Sequence, residues 1–107
     1  MSRVGAASTL MVSLLAWGTV TAQQPGAVVD IRDFAFEPHE VKVTSGTMVR
    51  WVNRDPVSHS VAMEGGRPGS SPLLDPGKDH AVAFQAPGRI TYRCGVHPTM
   101  LGVIVVD

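Results

Sequence analysis

Arg89-Ile90-Thr91-Tyr92-Arg93-Cys94-Gly95-Val96-His97-Pro98-Thr99-Met100-Leu101-Gly102-Val103-Ile104-Val105-Val106 contains two β runs joined by a short loop. In the first run Ile90, Tyr92 and Cys94 alternate with Thr91 and Arg93, the period-2 pattern of a strand with one buried face. The second, Leu101 to Val106, is β-branched and apolar. If Ile90 and Tyr92 point inward, so does Cys94, and its thiol emerges at the inner edge of the strand's end. Within the seven residues Cys94 to Met100 the loop offers a thiolate, an imidazole from His97 and a thioether.

Taken singly, these residues have ordinary explanations. A solitary Cys is often a small buried hydrophobe, and Met commonly fills gaps in cores. Together they form a ligand set. A trigonal site of two His and one Cys with a weak axial Met selects copper, because soft sulfur favours Cu(I) while imidazole accommodates Cu(II). The missing nitrogen is expected from His59, in Asn53-Arg54-Asp55-Pro56-Val57-Ser58-His59, provided that the fold brings this segment beside the Cys94 loop. Zinc is the main competitor, but its structural sites use four strong Cys and His ligands and no thioether. His39 and His80 lie in polar surroundings and read as surface residues.

Outward from this loop the pattern stays β. Val41/Val43, Val49/Trp51 and Val82/Phe84 alternate, and no stretch holds a helical period for two turns. Strands are expected at Val28 to Arg32, Glu40 to Thr44, Thr47 to Asn53, His59 to Met63, Asp79 to Phe84, Arg89 to Cys94 and Leu101 to Val106. Ser45-Gly46 reads as a turn and Gly65 to Pro72 as a Gly/Pro/Ser-rich loop. Short strands punctuated by Pro and Gly imply an all-β sandwich.

The N-terminus reads differently. Arg3 precedes an uncharged stretch from Val4 to Ala22, with small residues at Val20 and Ala22 ahead of Gln23. This is a secretory signal pattern over residues 1–22, leaving one small domain at 23–107 and placing the mature protein in the periplasm or outside the cell. An anchor is the competing reading, since the stretch approaches the roughly 20 residues that span a bilayer, but Gly, Ser and Thr dilute it. A lone Cys cannot form an internal disulfide, and in an exported protein an unpaired Cys calls for another role, which metal ligation supplies. Nine Lys/Arg balance nine Asp/Glu. With no basic run, Gly-rich phosphate loop or aromatic ladder, nothing supports a nucleic-acid partner.

The spacing Cys94-x2-His97-x2-Met100, the upstream Trp51-x-Asn53-x-Asp55-x3-His59, the opening Phe34-Ala35-Phe36-Glu37-Pro38 and Phe84-Gln85-Ala86-Pro87-Gly88 before the Cys strand resemble the cupredoxins, the small blue-copper proteins. The short ligand loop with His97-Pro98 resembles their amicyanin- and plastocyanin-like members. The resemblance implies a Greek-key β-sandwich of seven to eight strands holding one type 1 copper ion, Cu(I)/Cu(II), on His59, Cys94, His97 and Met100. It also implies a monomeric, non-enzymatic carrier that passes single electrons between partners such as a dehydrogenase, a c-type cytochrome or an oxidase, free of the membrane once the leader is removed. Copper delivery or resistance is the alternative use of such a site. In this family an Asn after the upstream His ties to a Ser or Thr after the Cys. Here the pair is Ser60 and Gly95, so that clamp is expected to be absent, with Ser60 needing a backbone or water partner. The Ser60 and Val96 N–H groups are both expected at the Cys94 sulfur, and His97 is expected to be the electron port, among Pro56, Val57, Val96 and Pro98.

Overall fold

β-branched and aromatic residues at alternate positions build eight strands in the computed structural model, which describes residues 26–107. The leader expected over residues 1–22 lies outside the described residues. The strands are β1 (Ala27–Arg32), β2 (Ala35–Glu37), β3 (Glu40–Val43), β4 (Thr47–Asn53), β5 (Ala62–Met63), β6 (Asp79–Phe84), β7 (Gly88–Arg93) and β8 (Leu101–Val106). A 3-10 turn, Glu64–Gly66, follows β5. Among the described residues no helix is long and apolar enough to cross a membrane.

The strands form two four-stranded sheets, ordered β2-β1-β4-β6 and β3-β8-β7-β5. The chain changes sheet at each connection from β2–β3 through β6–β7, which makes this a sandwich rather than two meanders. β1 runs parallel to β4 and β3 parallel to β8; the other pairs are antiparallel. Alternation decides what faces inward: in β4 Val49, Trp51 and Asn53 are buried while Met48 and Arg50 are exposed. Val29, Ile31, Val49, Trp51 and Phe84 of one sheet share a core with Val41, Ile90, Tyr92 and Ile104 of the other.

Tyr92 is the hinge of that core. Its ring lies 4.7 Å from Phe36 and 5.3 Å from Trp51, centroid to centroid, and it crosses the backbone of β8 at Gly102. A Cβ on Gly102 would sit 2.2 Å from the Tyr92 ring, so only glycine fits. The Tyr92 hydroxyl and the Trp51 Nε1 are buried with no hydrogen-bond partner. Burial pushes the Tyr92 pKa up to about 12, with the Trp51 indole opposing part of that rise.

Most strands match the sequence expectation to within a residue at either end, and the differences that bear on the site lie in β2, β5 and β7. The Phe34 to Glu37 stretch adds β2, which pairs with β1 through Ile31↔Phe36. The strand expected over His59 to Met63 keeps ladder pairing only at Ala62 and Met63, with an isolated bridge between His59 and Leu74. The cause lies on the edge facing β7, where the N–H of Ser60 goes to Cys94 Sγ instead of a carbonyl, while on the other edge the N–H groups of Val61 and Met63 go to Ser71 and Ser70 Oγ rather than to a strand. β7 ends at Arg93: the Cys94 N–H still reaches the in-register Met100 carbonyl, 3.1 Å away, but the Met100 N–H turns to the His97 carbonyl and the ladder stops there. His39 is exposed, as expected. His80 is half-buried against Trp51, and its Nε2 donates to the Gly69 carbonyl (2.8 Å), so it holds the 65–72 loop rather than facing solvent freely.

Candidate metal centre

The sandwich delivers the expected side chains to one end of the molecule. Cys94 follows β7 and is fully buried, His59 is fully buried on its bridge to Leu74, and His97 is half-buried in the loop before β8. Cys94 Sγ lies 3.7 Å from His59 Nδ1 and 3.7 Å from His97 Nδ1, and the two nitrogens are 3.2 Å apart. The point equidistant from three atoms so placed is about 2 Å from each, within reach of first-row metal–nitrogen bonds and slightly inside metal–sulfur bonds. Three lone-pair-bearing atoms this close repel one another unless a proton or cation sits among them. The donor set therefore fits a thiophilic metal ion.

Met100, the fourth expected ligand, closes the same loop. Its N–H donates to the His97 carbonyl (2.9 Å) and its own carbonyl accepts from Cys94, so Cys94, His97 and Met100 are stitched into one compact turn. The Met100 side chain is buried and joins the core cluster.

Asp55 is the residue that sequence reasoning missed. Its Oδ2 accepts from His59 Nε2 at 2.8 Å, which leaves the His59 Nδ1 lone pair facing the triangle. A carboxylate on the far nitrogen commonly fixes both tautomer and ring orientation of a metal-binding histidine. Asp55 also accepts the N–H of Asp33 on Oδ1 (2.6 Å) and of Phe34 on Oδ2 (2.9 Å). Burial alone would raise the Asp55 carboxyl, but the Phe34 and Asp33 N–H groups and the His59 imidazole outweigh it and hold the group below its ordinary 3.8. Asn53, fully buried at the end of β4, sets this loop: its Oδ1 accepts from Asp55 N–H, and its Nδ2 donates to the Val57 and Leu74 carbonyls. An acid four residues before a histidine in a non-helical segment gives no spacing signal, so only the fold reveals the contact.

The turn that Asp55 holds is unusual. Asp33 and Phe34 both have positive φ, 53° and 57°. For a bulky residue this costs on the order of 1–3 kcal/mol, while hydrogen bonds to a carboxylate contribute about 1.5–3 kcal/mol each. The two bonds that Asp55 accepts suffice to hold it.

The side-chain clamp is absent, as expected from Gly95, and Ser60 finds the backbone partner it needs, so the two loops are still tied together. Ser60 Oγ accepts the Gly95 N–H at 2.9 Å, so the backbone of one ligand loop replaces the missing side chain. A Cβ on Gly95 would lie 2.7 Å from that oxygen, so the absence of a side chain is what admits the bond. Cys94 Sγ accepts the Ser60 N–H at 3.3 Å. The Val96 N–H, expected as a second donor, makes no such bond among the described residues. Val96 and Pro98, which flank His97 in the chain, are exposed, as are Pro56 and Val57 before His59, and Phe34 packs against the His97 ring.

Comparison with known proteins agrees with this architecture. A family model described as a cupredoxin-like domain matches residues 5–106, a span that also runs through most of the expected leader. Amicyanin-alpha of Methylorubrum extorquens is 34% identical over 84 residues, covering 74% of this chain and 70% of that protein. Amicyanin of Paracoccus denitrificans is 32% identical, covering 75% of this chain and 64% of its own length. Among solved structures, a Cu(I) form of an amicyanin variant superimposes with a TM-score of 0.73 at 30% identity, covering 84% of this chain and 88% of that one. With nearly the whole sequence matched and the two-sheet sandwich in common, the chain belongs to the cupredoxin-like domain family.

Proposed function

We propose that this chain is an exported blue-copper electron carrier, with one type 1 copper ion held by His59, Cys94, His97 and Met100. The reading rests on the donor triangle: two imidazole nitrogens and one cysteine sulfur converge within 4.8 Å of one another. Copper, when bound, supplies a one-electron couple between Cu(I) and Cu(II). The protein's part is to hold the same ligand positions for both states. Asp55 fixes His59, the Ser60 N–H draws charge off the Cys94 sulfur, and the Cys94–Met100 and Met100–His97 backbone bonds fix the short loop. Ligands that do not move on electron transfer lower the reorganisation that limits its rate.

His97 is the port. It is the one donor of the triangle that is not fully buried, and the exposed apolar residues beside it suit a brief encounter with a redox partner such as a dehydrogenase, a c-type cytochrome or an oxidase. Such encounters typically bury under about 1,200 Å². Full burial of His59 and Cys94 favours retention of copper over its delivery to another protein, and slow copper release in a competition assay separates the two uses. Residues 1–22 are read as a leader that directs the chain to the periplasm or beyond, which N-terminal sequencing of the mature protein tests.

The visible spectrum of the copper-loaded protein tests the function itself. The oxidised form is expected to show an intense thiolate-to-Cu(II) band that disappears on reduction and is lost in Cys94→Ser. A Cu(II) adduct with only weak absorption would overturn the assignment.

A further inference from the structure

Phe34 occupies a backbone position that suits glycine. With Asp33 it forms the two-residue connection between β1 and β2, both residues at positive φ. That is the geometry for which Asp-Gly or Asn-Gly is the usual choice. Asp33 meets the first half of that preference and Phe34 contradicts the second, since a bulky residue at positive φ is an outlier. The hairpin gains nothing from an aromatic there: the side chain is 51% exposed and stands outside the core cluster.

The ring touches the two histidines. It meets His59 edge-on at a centroid distance of 5.3 Å and His97 at 5.1 Å, with interplanar angles of 85° and 88°. Behind it, Phe34 lines an open groove of about 580 Å³ together with His39, Thr99, Met100 and Leu101. The ring is therefore a wall shared by the open groove and the histidine pair. Its backbone is held by the same carboxylate that holds His59, so the wall and one ligand share an anchor.

We propose that Phe34 is the cover of the metal centre, a positioning residue that Asp55 holds in a strained turn so that its ring seals the histidine side of the donor triangle from water and small ligands and keeps the His97 ring from swinging outward. Strain kept at such a position is the mark of a functional constraint. The proposal rests on the triangle being a metal centre, but its first consequence concerns the metal-free chain.

A cover and a packing residue respond differently to replacement. Removing a packing residue lowers stability and opens the site together. Replacing a strained cover with glycine relieves the backbone while opening the site, so the two effects separate. The experiment compares Phe34→Gly and Phe34→Leu with the wild type, metal-free, by the rate of Cys94 alkylation with iodoacetamide and by the urea midpoint. Phe34→Gly is expected to react at least tenfold faster with an unchanged or raised midpoint, and Phe34→Leu to recover most of the protection. An unchanged alkylation rate, or an increase accompanied by a lowered midpoint, would overturn the proposal. In the Cu(I)-loaded protein, extraction by excess bathocuproine disulfonate is expected to accelerate in the same order, and equal extraction rates would also overturn it. Failure of the wild type to bind Cu(I) would strike the metal-centre reading instead, since the alkylation result needs no metal.

Discussion

His59 and His97 aim the same ring nitrogen at the same point, 3.2 Å apart, yet the chain holds them in different ways. His59 is fully buried, bridged by its backbone to Leu74 on both sides and fixed at Nε2 by Asp55, which is itself set by Asn53. His97 is half-buried, lies in a loop closed by two backbone bonds around Met100, and has Phe34 against its ring. One donor is built into the sandwich and the other is mounted on its rim. A site made this way keeps a preset half against which the exposed half can meet a partner without the whole centre loosening.

The largest expected effect breaks the preset half. Asp55→Ala leaves the N–H groups of Asp33 and Phe34 and the His59 Nε2 without their acceptor in a buried place. Breaking one side of a buried charge-assisted network costs about 3–5 kcal/mol, whereas His97→Ala on the rim is expected to stay within about 1 kcal/mol. Urea denaturation of the metal-free proteins measures both, and similar losses for the two would erase the distinction. The same asymmetry has an acid signature. The folded Asp55 carboxyl is held below its unfolded value of 3.8, so its contribution is complete above that pH and is lost as pH falls through the lower folded value. The stability gap between wild type and Asp55→Asn should therefore narrow in acid, and a gap independent of pH would contradict it.

The next effect sharpens the comparison from beneath. Cys94 follows a strand whose last inward residue is Tyr92, clasped between Trp51, Phe36 and the Gly102 backbone. Burial raises the Tyr92 pKa from 10.0 to about 12, so the folded state resists its ionisation. That contribution is complete below pH 10 and is lost as pH rises from 10 toward 12, a change of roughly 2–3 kcal/mol at 1.36 kcal/mol per pK unit. Tyr92→Phe should remove this alkaline limb. Persistence of the limb in that variant would move its source elsewhere.

The two halves were not equally legible in the sequence. Ile90, Tyr92 and Cys94 announced the buried face of β7 by alternation, and the Cys94-x2-His97-x2-Met100 spacing announced a ligand loop, because local pattern carries both. His59 was readable as a candidate through its Trp-x-Asn-x-Asp-x3-His setting, but its meeting with Cys94 depends on the sheet order, which alternation does not encode. Asp55 was invisible as a support for the same reason, and β2 went unseen because three residues ending before a proline carry little periodicity. The His59 to Met63 strand was overextended, since pattern counts apolar side chains and cannot see that Ser70, Ser71 and the Cys94 sulfur take the backbone donors. At Gly95 the residue type shows that a side-chain clamp is missing and that Ser60 needs another partner, but only the fold shows that this partner is the Gly95 N–H itself, in the space the missing side chain leaves.

The smallest expected effect concerns the sulfur. Cys94 Sγ accepts one backbone N–H, and it comes from Ser60, on the preset half. Val96 lies on the rim, is 49% exposed and directs no hydrogen bond to the sulfur. Hydrogen bonds to a ligating thiolate withdraw charge from it and favour Cu(I), so they raise the reduction potential, and removing one lowers it. Val96→Pro deletes the Val96 N–H with little loss of packing. Because that group does not reach Sγ, the potential of the copper-loaded protein should stay where it is, as measured by voltammetry at neutral pH. A clear drop would show that the rim also tunes the sulfur, and the division between a preset half and a rim would then hold for position but not for electronic control.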